Sequence, residues 1–490
     1  MMKQSIVWIL LVGMLLTTAS CGGSETMSDV TNTASEATDG GSEDTGIPDN
    51  LPVANYDGYV FRIFTPENYV KYYDSDEVVG EVVSDSIYSR NRTVEERFNV
   101  EIEAVVSGYN DLTSHTQGIV KNIMANEDFC DLTELHSVHG GNISLQNALC
   151  NLHDIRYLDF TKPWWFPQTV EEMTFMDKMY LGCNTISYEA VNIVSVMYVN
   201  LNMYSEYQLD AAHGSIYDVV RDGKWTLDRM ITMSKDVYRD VNGNGQRDEA
   251  DVYGMYANPS CEEYWTAFQA PILQKNADTL EVVAKNDKVI SIVEKMYSYF
   301  YETDSTWVAK ITDWNRYSQQ FAEQFTSEKT LLMTMYLSIA ADNMLREAPF
   351  DFGILPLPKY DEAQEDYRCF AEGAYVGIPI TNPNTDRTGL ILEAMTAEGY
   401  RQIIPAYQEI ALKDKYLRDE DSAEMFALIL ESYTASFAFN YDGWKGFAHL
   451  FGKIFKADGG SRDVVSYLDS NMGMAKERAN IVASGFQSND

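Results

Sequence analysis

Twelve consecutive residues, from Asp240 to Asp251, have the spacing of side-chain oxygens found in calcium-binding loops. The candidate ligands in loop order are Asp240, Asn242, Asn244, the backbone carbonyl of Gln246, Asp248 and Asp251. Gly245 stands where such loops turn sharply, and calcium accepts about six to eight oxygen ligands. Asp251 replaces the usual Glu at the last position and reaches less far, so the sequence predicts a weak, structural calcium site. The alternative is a polar loop that turns at its Asn-Gly pairs without a metal ion.

A second residue with predicted chemistry is Cys21, which follows an N-terminal export signal. Residues 1–20 carry one basic residue, Lys3, and then an apolar run over residues 6–16 that is too short for a membrane-spanning helix. The ending Thr18-Ala19-Ser20-Cys21 is similar to a bacterial lipoprotein box, in which the cysteine is lipidated after cleavage. Thr18, three residues before the cysteine, stands where such boxes usually have Leu. We expect a protein anchored by lipid to the extracellular face of the cell membrane, with ordinary secretion as the alternative.

The sequence lacks the common enzyme signatures, because it has no G-x-S-x-G, H-E-x-x-H, Walker A or G-x-G-x-x-G motif. Five cysteines remain after Cys21, at positions 130, 150, 183, 261 and 369, and none forms a C-x-x-C pair. An odd number cannot form a closed set of disulfides, so we expect buried free thiols.

Composition excludes a nucleic-acid partner. The 490 residues include 37 Lys and Arg against 74 Asp and Glu, a formal charge of −37 that repels phosphate backbones. Hydrophobic residues make up 45% of the chain, which is enough for a large core and excludes disorder over most of its length. Residues 22–50 differ, because they hold seven acidic residues and no Lys or Arg, so we predict a flexible tether over residues 21–55.

Hydrophobic periodicity predicts alternating strands and helices in the folded part. Residues 59–64 and 100–106 read as strands, and a helix between them covers residues 84–98. Further strands are predicted at residues 179–181, 191–199 and 352–355, a helix at 227–238, and mainly helices over 390–482. This alternation is typical of a mostly parallel sheet covered by helices.

Several segments together carry a resemblance to a known family. They are DSIYSRNRTVEERF (85–98), KPWW (162–165), GKWT (223–226), Tyr253-Gly254 and DFGILPLPKY (351–360). In this order, behind a lipoprotein leader, they resemble the extracellular solute-binding proteins of family 1, the lipid-anchored receptors of carbohydrate ABC importers. The likeness runs from about residue 56 to the C-terminus.

The resemblance implies an α/β fold of the two-lobe, type II periplasmic-binding-protein kind, with hinge crossovers and a cleft between the lobes. Residues 56–185 and 378–430 then form lobe 1, residues 186–377 form lobe 2 with the calcium-type loop, and residues 431–490 are C-terminal helices mainly of lobe 2. It also implies a monomer that captures a sugar, with an oligosaccharide favoured, and delivers it to the permease subunits of an ABC transporter.

A sugar cleft needs flat aromatic faces for stacking and polar groups for hydroxyls. By resemblance, the ligand-binding residues are His139, Tyr188, Glu189, Tyr264, Trp265, Tyr336, Glu372, Tyr375 and Trp444. Glu189 and Glu372 are the expected hydroxyl acceptors, although either could equally be a solvated carboxylate. The aromatic residues could equally be packing residues of the core.

Two other classes of function stay open at this point. A surface-anchored glycan-degrading enzyme would use two of the many carboxylates as acid and nucleophile. A calcium-dependent adhesin would bind its partner through the calcium-type loop. The resemblance favours a binding protein that is not an enzyme.

Overall fold

The computed structural model describes residues 46–75, 78–260, 262–313, 316–341, 344–345, 348–411, 420–441 and 447–489. The predicted signal, Cys21 and most of the predicted tether lie outside these residues, as do Cys261 and Trp444. The strands are β1 (Tyr59–Thr65), β2 (Val100–Val106), β3 (Leu132–His136), β4 (Ser195–Asn200), β5 (Tyr238–Arg239), β6 (Val252–Ala257), β7 (Leu273–Lys275), β8 (Leu280–Val282), β9 (Thr306–Val308), β10 (Thr330–Tyr336), β11 (Phe352–Leu355), β12 (Cys369–Phe370), β13 (Ala374–Gly377) and β14 (Tyr433–Thr434).

The α-helices are α1 (Val82–Phe98), α2 (Leu112–Met124), α3 (Ser137–Ser144), α4 (Pro167–Met173), α5 (Glu189–Asn192), α6 (Leu201–Glu206), α7 (Leu209–His213), α8 (Ile216–Arg221), α9 (Leu227–Ser234), α10 (Glu263–Ala267), α11 (Asp287–Tyr301), α12 (Tyr317–Thr326), α13 (Ser338–Ala341), α14 (Thr385–Glu398), α15 (Ile404–Ala411), α16 (Glu420–Glu431), α17 (Phe437–Tyr441), α18 (Leu450–Ile454) and α19 (Val464–Ser488). A π-helical turn, Gly399–Ile403, joins α14 to α15. Shorter 3-10 turns lie at Glu67–Tyr72, Leu152–Asp154, Pro163–Trp165 and Phe447–His449.

The first sheet has the strand order β13-β3-β1-β2. β1 runs parallel to β2 and to β3, with Ile63 opposite Leu132, and β13 joins β3 in the antiparallel direction. The apolar run of β1 places Phe61 and Ile63 fully in the core. The predicted strands at 59–64 and 100–106 and the predicted helix at 84–98 are confirmed, with α1 starting two residues earlier.

The second sheet has the order β11-β4-β10-β6-β5, and β9 also pairs with β6. It is mixed, since β10 is parallel to β6 but antiparallel to β4, so the expectation of a mostly parallel sheet holds only for the first sheet. Every residue of β4 and of β6 is buried, which explains their continuous apolar sequences. No strand forms at residues 179–181, and the predicted helix at 227–238 ends at Ser234.

The chain crosses between the two sheets at points close to those predicted. The first crossing follows Thr185 and leads through α5 into β4. The second lies before β13, because Ala374 to Gly377 pair with β3 of the first sheet, so lobe 2 ends near residue 373 rather than 377. The bridge between Val194 and Ala371 brings the two crossing segments side by side.

The C-terminal helices contact elements of both lobes, whereas residues 431–490 were predicted to belong mainly to lobe 2. α16 packs on β11 of the second sheet although residues 378–430 were expected in lobe 1. In α19, Asp469 pairs with Lys285 at 2.5 Å near the N-terminal end, whereas Phe486 packs on Tyr180 near the other end. This long helix therefore spans from lobe 2 elements to lobe 1 elements.

The two adjacent tryptophans of KPWW are structural. Trp164 and Trp165 are fully buried, and their indole N–H groups donate to the two carboxylate oxygens of Glu393 in α14, each at 2.8 Å. Asp159 N donates to the same carboxylate at 3.2 Å. Burial raises the pKa of Glu393 to about 7 against the opposing effect of these hydrogen bonds. Across the described residues, no helix combines the length and apolar character that a membrane span requires.

Candidate functional site

The candidate site begins at the carboxyl edge of the first sheet, where parallel strands commonly present ligand-binding residues. β3 carries Glu134 near this edge, and Thr65 at the end of β1 donates its hydroxyl to Glu134 Oε2 at 2.5 Å. Glu134 is 1% exposed, and this burial raises its pKa to about 8. An acidic side chain inside an otherwise apolar strand is costly to bury unless it has a function or a full set of partners.

Glu189, a predicted ligand-binding residue, reaches the same place from the first crossing between lobes. Its carboxyl group is hydrogen-bonded to that of Glu134, and it is only 5% exposed. Burial raises its pKa well above the usual value, and the neighbouring charge of Glu134 raises it further. The pair is therefore expected to share a proton at neutral pH. Within the described part of the chain, Glu189 Oε2 has no hydrogen-bond partner.

Tyrosine rings form one wall of this carboxyl pair. Tyr69 and Tyr72 belong to the 3-10 turn that follows β1, and their ring centroids are 5.5 Å apart. Tyr72 meets the predicted Tyr188 edge to face at 4.8 Å, and Tyr188 stacks on Tyr407 of α15 at 5.7 Å. Burial raises the pKa of both Tyr69 and Tyr72, and in each the charge of Glu189 adds to the effect. This wall is aromatic and lies beside hydrogen-bond acceptors, as sugar recognition requires.

Two further predicted residues are Tyr336, in the second sheet, and Glu372, in the segment between β12 and β13. Tyr336 ends β10, and its hydroxyl donates to Glu372 Oε2 at 2.7 Å. Burial raises the pKa of Tyr336, and the charge of Glu372 raises it further. Glu372 also acts electrostatically on Tyr69 and His136 of the first lobe. Glu372 is thus close enough to lobe 1 for its charge to act on residues at the edge of the first sheet.

A further pair of carboxylates precedes and starts α10. Burial raises the pKa of Glu262 to about 8 and that of Glu263 to about 7. Both groups also experience the charge of Glu372, so they belong to the same electrostatic neighbourhood. Glu262 and the predicted Trp265 line a small pocket together with Phe370 and Phe439.

The aromatic residues predicted next to Glu263 are placed differently from one another. Trp265 is 4% exposed and stacks on Phe451 at 4.0 Å, and its Nε1 has no partner among the described residues. Tyr264 is fully buried and shares a 2.7 Å hydrogen bond with Thr334 Oγ1. Trp265 therefore lies at the cavity, whereas Tyr264 packs inside the second lobe.

Three other predicted positions are placed as follows. Tyr375 is fully buried and its hydroxyl accepts from Asn440 Nδ2 at 2.8 Å, so it packs within lobe 1 rather than facing solvent. Gly373 precedes it with a φ of +99°, and a Cβ there would lie 1.9 Å from the Tyr375 ring. His139 is half-buried in α3, where burial lowers its pKa. Trp444 lies outside the described residues.

The calcium-type loop is held in shape by hydrogen bonds among its own residues. Asp240 accepts from Gly243 N at 2.7 Å and from Gly245 N at 2.8 Å. The side-chain amides of Asn242 and Asn244 donate to Asp248 Oδ2 at 2.9 and 2.8 Å. The backbone of Gln246 donates to Asn244 Oδ1 at 2.7 Å. Asp251 is fully buried and accepts from Val241 N at 3.1 Å and Tyr238 Oη at 3.2 Å.

These hydrogen bonds bear on how well the loop fits a calcium ion. The loop has the right oxygen donors, and Asp240 is oriented by two backbone amides. Asn242 and Asn244, however, direct their N–H groups at Asp248, so a cation would require both amides to turn. Throughout the described ranges, no three His, Cys, Asp or Glu side chains gather closely enough to hold a metal ion.

Sequence reasoning missed several residues of the cleft. Glu134, Tyr69, Tyr72 and Glu262 lie in it but were not singled out. One signal could have indicated Glu134, since it interrupts the apolar segment Leu132-Thr133-Glu134-Leu135 at the end of a strand. The tyrosines follow β1 in a segment that is rich in aromatic residues throughout and gives no such contrast.

Comparisons with known proteins identify the class of fold. No protein-family model and no curated protein matches the sequence. The solved galacto-N-biose/lacto-N-biose I-binding protein of an ABC transporter from Bifidobacterium longum, with lacto-N-biose, aligns with a TM-score of 0.58 at 10% identity, covering 87% of this chain and 98% of that chain. UgpB from Mycobacterium tuberculosis, with glycerophosphocholine, aligns with a TM-score of 0.54 at 13% identity over 86% and 98%.

A cyclo/maltodextrin-binding protein solved with maltotetraose aligns with a TM-score of 0.53 at 14% identity, covering 88% of this chain and 97% of that chain. At these identities the likeness defines the fold. The chain has the two-lobe α/β fold of periplasmic binding proteins, as the sequence predicted, and these neighbours are binding proteins rather than enzymes.

Proposed function

We propose that this protein is an extracellular solute-binding protein that captures a sugar, with an oligosaccharide favoured, and delivers it to the permease of an ABC importer. The observation that carries the proposal is the grouping of the Glu134–Glu189 pair with a tyrosine wall in lobe 1. Tyr336 donates to Glu372, and the charge of Glu372 acts on Tyr69 of that wall. Stacking faces beside several acceptors suit a ligand with apolar C–H surfaces and many hydroxyls.

The fold neighbours support the choice of ligand. Two of the three described above were solved with an oligosaccharide, lacto-N-biose or maltotetraose, and the third with glycerophosphocholine. A sugar is thus the first class of solute to test, and a small polar phosphodiester is the next. The lipid anchor at Cys21 and the delivery to a permease are parts of the same proposal.

The enzyme alternative is not favoured by the carboxyl geometry. Retaining glycosidases hold their two carboxyl groups about 5 Å apart and inverting ones farther, so that a sugar or a water fits between them. Glu134 and Glu189 are instead hydrogen-bonded directly to each other. Such direct contact favours a shared acceptor site over a separated acid and nucleophile.

A thermal-shift scan of the purified protein against mono- and oligosaccharides tests the proposal. A ligand present at about 100 times its Kd stabilises the native state by about 2.7 kcal/mol, which raises the unfolding midpoint by a few degrees. We expect a shift with one class of sugar and no product on chromatography. Tyr72→Ala and Glu189→Gln should reduce the shift, whereas Glu103→Gln, an exposed position on β2, should keep it. A flat scan across the whole panel would remove sugar as the solute.

We also propose that the 240–251 loop binds calcium as a structural ion. Its support is the set of oxygen donors and the orientation of Asp240 by two backbone amides. Calcium should raise the unfolding midpoint over that in EGTA, and Asp248→Asn should weaken this response while Asp458→Asn, at an exposed position, keeps it. An unchanged midpoint at millimolar calcium would mean that the loop is closed by its hydrogen bonds alone. Sugar binding that persists in EGTA would separate this structural role from a calcium-dependent adhesin.

A further inference from the structure

Five carboxyl groups lie in the neighbourhood of the candidate site, and few positive charges pair with them among the described residues. They come from both lobes: Glu134, Glu189, Glu262, Glu263 and Glu372. Across the residues that the structure describes, the one ion pair recorded for this set joins Glu262 to His449, at 3.9 Å. Burial lowers the pKa of His449 to about 4, so the imidazole is neutral at pH 7. Buried carboxylates without counterions are expensive, and each must be protonated or meet a cation.

Lys71 carries the ammonium group that interacts electrostatically with Glu189. Lys71 is exposed, and its Nζ lies 5.0 Å from the centroid of the Tyr72 ring. An ammonium group thus already lies over the tyrosine wall, where ring and carboxylate both attract positive charge. Among the other described groups near the Glu134–Glu189 pair, burial lowers the pKa of His115 to about 4, so this imidazole is neutral at pH 7. The buried guanidinium of Arg90 donates to the backbone oxygens of Tyr73 and Ile186 rather than to either carboxyl group. The remaining groups carry no positive charge: Thr65, Tyr69, Tyr72, Tyr73, Cys183 and Tyr433.

One buried acceptor of this group has no partner among the described residues. Glu189 is more than nine-tenths buried, and its Oε2 has no hydrogen-bond partner among the described residues. A hydroxyl of a neutral sugar could donate to this oxygen but would leave the charge of the cluster unbalanced. An ammonium group would supply both a donor and the missing positive charge.

We propose that the cleft selects a sugar that carries a protonated amine. The inference rests on the proposed function and adds a substrate class to it: amine-bearing sugars are bound, neutral ones more weakly, and sugars that carry carboxylate or phosphate groups are excluded. The exclusion follows because an anion would approach several carboxyl groups where, among the described residues, Lys71 alone supplies an ammonium group that acts on Glu189.

Isothermal titration calorimetry at pH 7 with matched trisaccharides tests the inference. The probes are the glucosamine trimer, its neutral N-acetylated counterpart, maltotriose and trigalacturonate. We expect the glucosamine trimer to bind at least about tenfold more tightly than the N-acetylated trimer, and trigalacturonate to show no binding. Equal or tighter binding of a neutral trimer would overturn the charge preference while leaving sugar capture in place. Absence of binding by all four probes would count against the proposed function itself.

Two variants separate charge from shape. Glu189→Gln keeps the size of the side chain and removes the carboxyl group that would pair with an ammonium group, so it should abolish the tenfold preference for the glucosamine trimer. Lys71→Met removes a competing ammonium and should tighten binding of the glucosamine trimer by a few-fold. Lys121→Met, an exposed position on α2, changes the net charge equally and should have no effect. If Lys71→Met alters neutral and cationic trimers alike, the charge argument is wrong.

Discussion

Glu393 offers a test in which two physical effects predict opposite results. Its carboxyl group accepts the indole N–H groups of Trp164 and Trp165 at 2.8 Å each, and hydrogen bonds of this kind favour the ionised form. Burial favours the neutral form and is the larger effect, so the pKa rises from 4.5 to about 7. A native carboxyl with a raised pKa binds a proton that the unfolded chain has already released. The contribution of Glu393 to the free energy of unfolding is therefore largest below pH 4.5 and falls as the pH rises toward 7.

The magnitude follows from the difference between the two pKa values, 7 − 4.5 = 2.5. At about 1.4 kcal/mol for each pKa unit, ionisation of Glu393 costs the native state about 3 kcal/mol between pH 4 and pH 8. The side chain in Glu393→Gln cannot ionise. Its amide N–H group would face one of the two indole N–H groups, so one hydrogen bond is lost, and this loss costs about 1–3 kcal/mol at any pH. We therefore expect Glu393→Gln to destabilise the protein clearly at pH 5 and much less, or not at all, at pH 8.

Urea unfolding at pH 5 and pH 8, followed by tryptophan fluorescence, measures this difference. Glu431→Gln removes an exposed carboxylate at the end of α16 and should change stability by less than about 0.5 kcal/mol at both values. If the cost of Glu393→Gln instead grows from pH 5 to pH 8, the indole hydrogen bonds outweigh burial. The pKa of Glu393 would then lie below 4.5 rather than above it.

Two further results are expected. Gly373→Ala should destabilise the protein by several kcal/mol in urea unfolding, because the new Cβ would lie 1.9 Å from the Tyr375 ring and the residue has a φ of +99°; a variant as stable as the parent would show that this crossing segment can move aside. Iodoacetamide at pH 8 should modify Cys183 and Cys369 far more slowly in the native protein than in urea, because burial raises the pKa of each thiol to about 12; equal rates would contradict their burial.

The order of elements could be predicted because their patterns are local. The apolar run at 59–64 and the amphipathic stretch at 84–98 each specify an element without reference to distant residues. The calcium-type loop likewise closes through hydrogen bonds within about ten residues. Crossovers between lobes carry no such signal, and the second was misplaced by a few residues since β13 pairs with β3, which is far away in sequence.

Roles of aromatic residues could not be predicted for a related reason. Tyr264 and Trp265 are neighbours in sequence, yet Tyr264 bonds to Thr334 in the lobe interior and Trp265 lines a cavity. Which way a ring points depends on the rotation of a short helix against a distant strand, and neither residue type encodes it. The pair Trp164 and Trp165 shows the same limit, since their common partner Glu393 lies more than two hundred residues later.

Buried carboxyl groups among the described residues differ in how fully they are partnered. Asp131 is fully buried but accepts from Tyr59 Oη at 2.8 Å and Arg62 N at 2.9 Å, with the guanidinium of Arg387 3.4 Å away. Glu393 has its two indoles. Glu189, at similar burial, has another carboxyl group as its neighbour and an oxygen that no described group satisfies. Packing alone would select donors for that oxygen as it did for Asp131, and the proposed function predicts that a bound ligand supplies the missing donor.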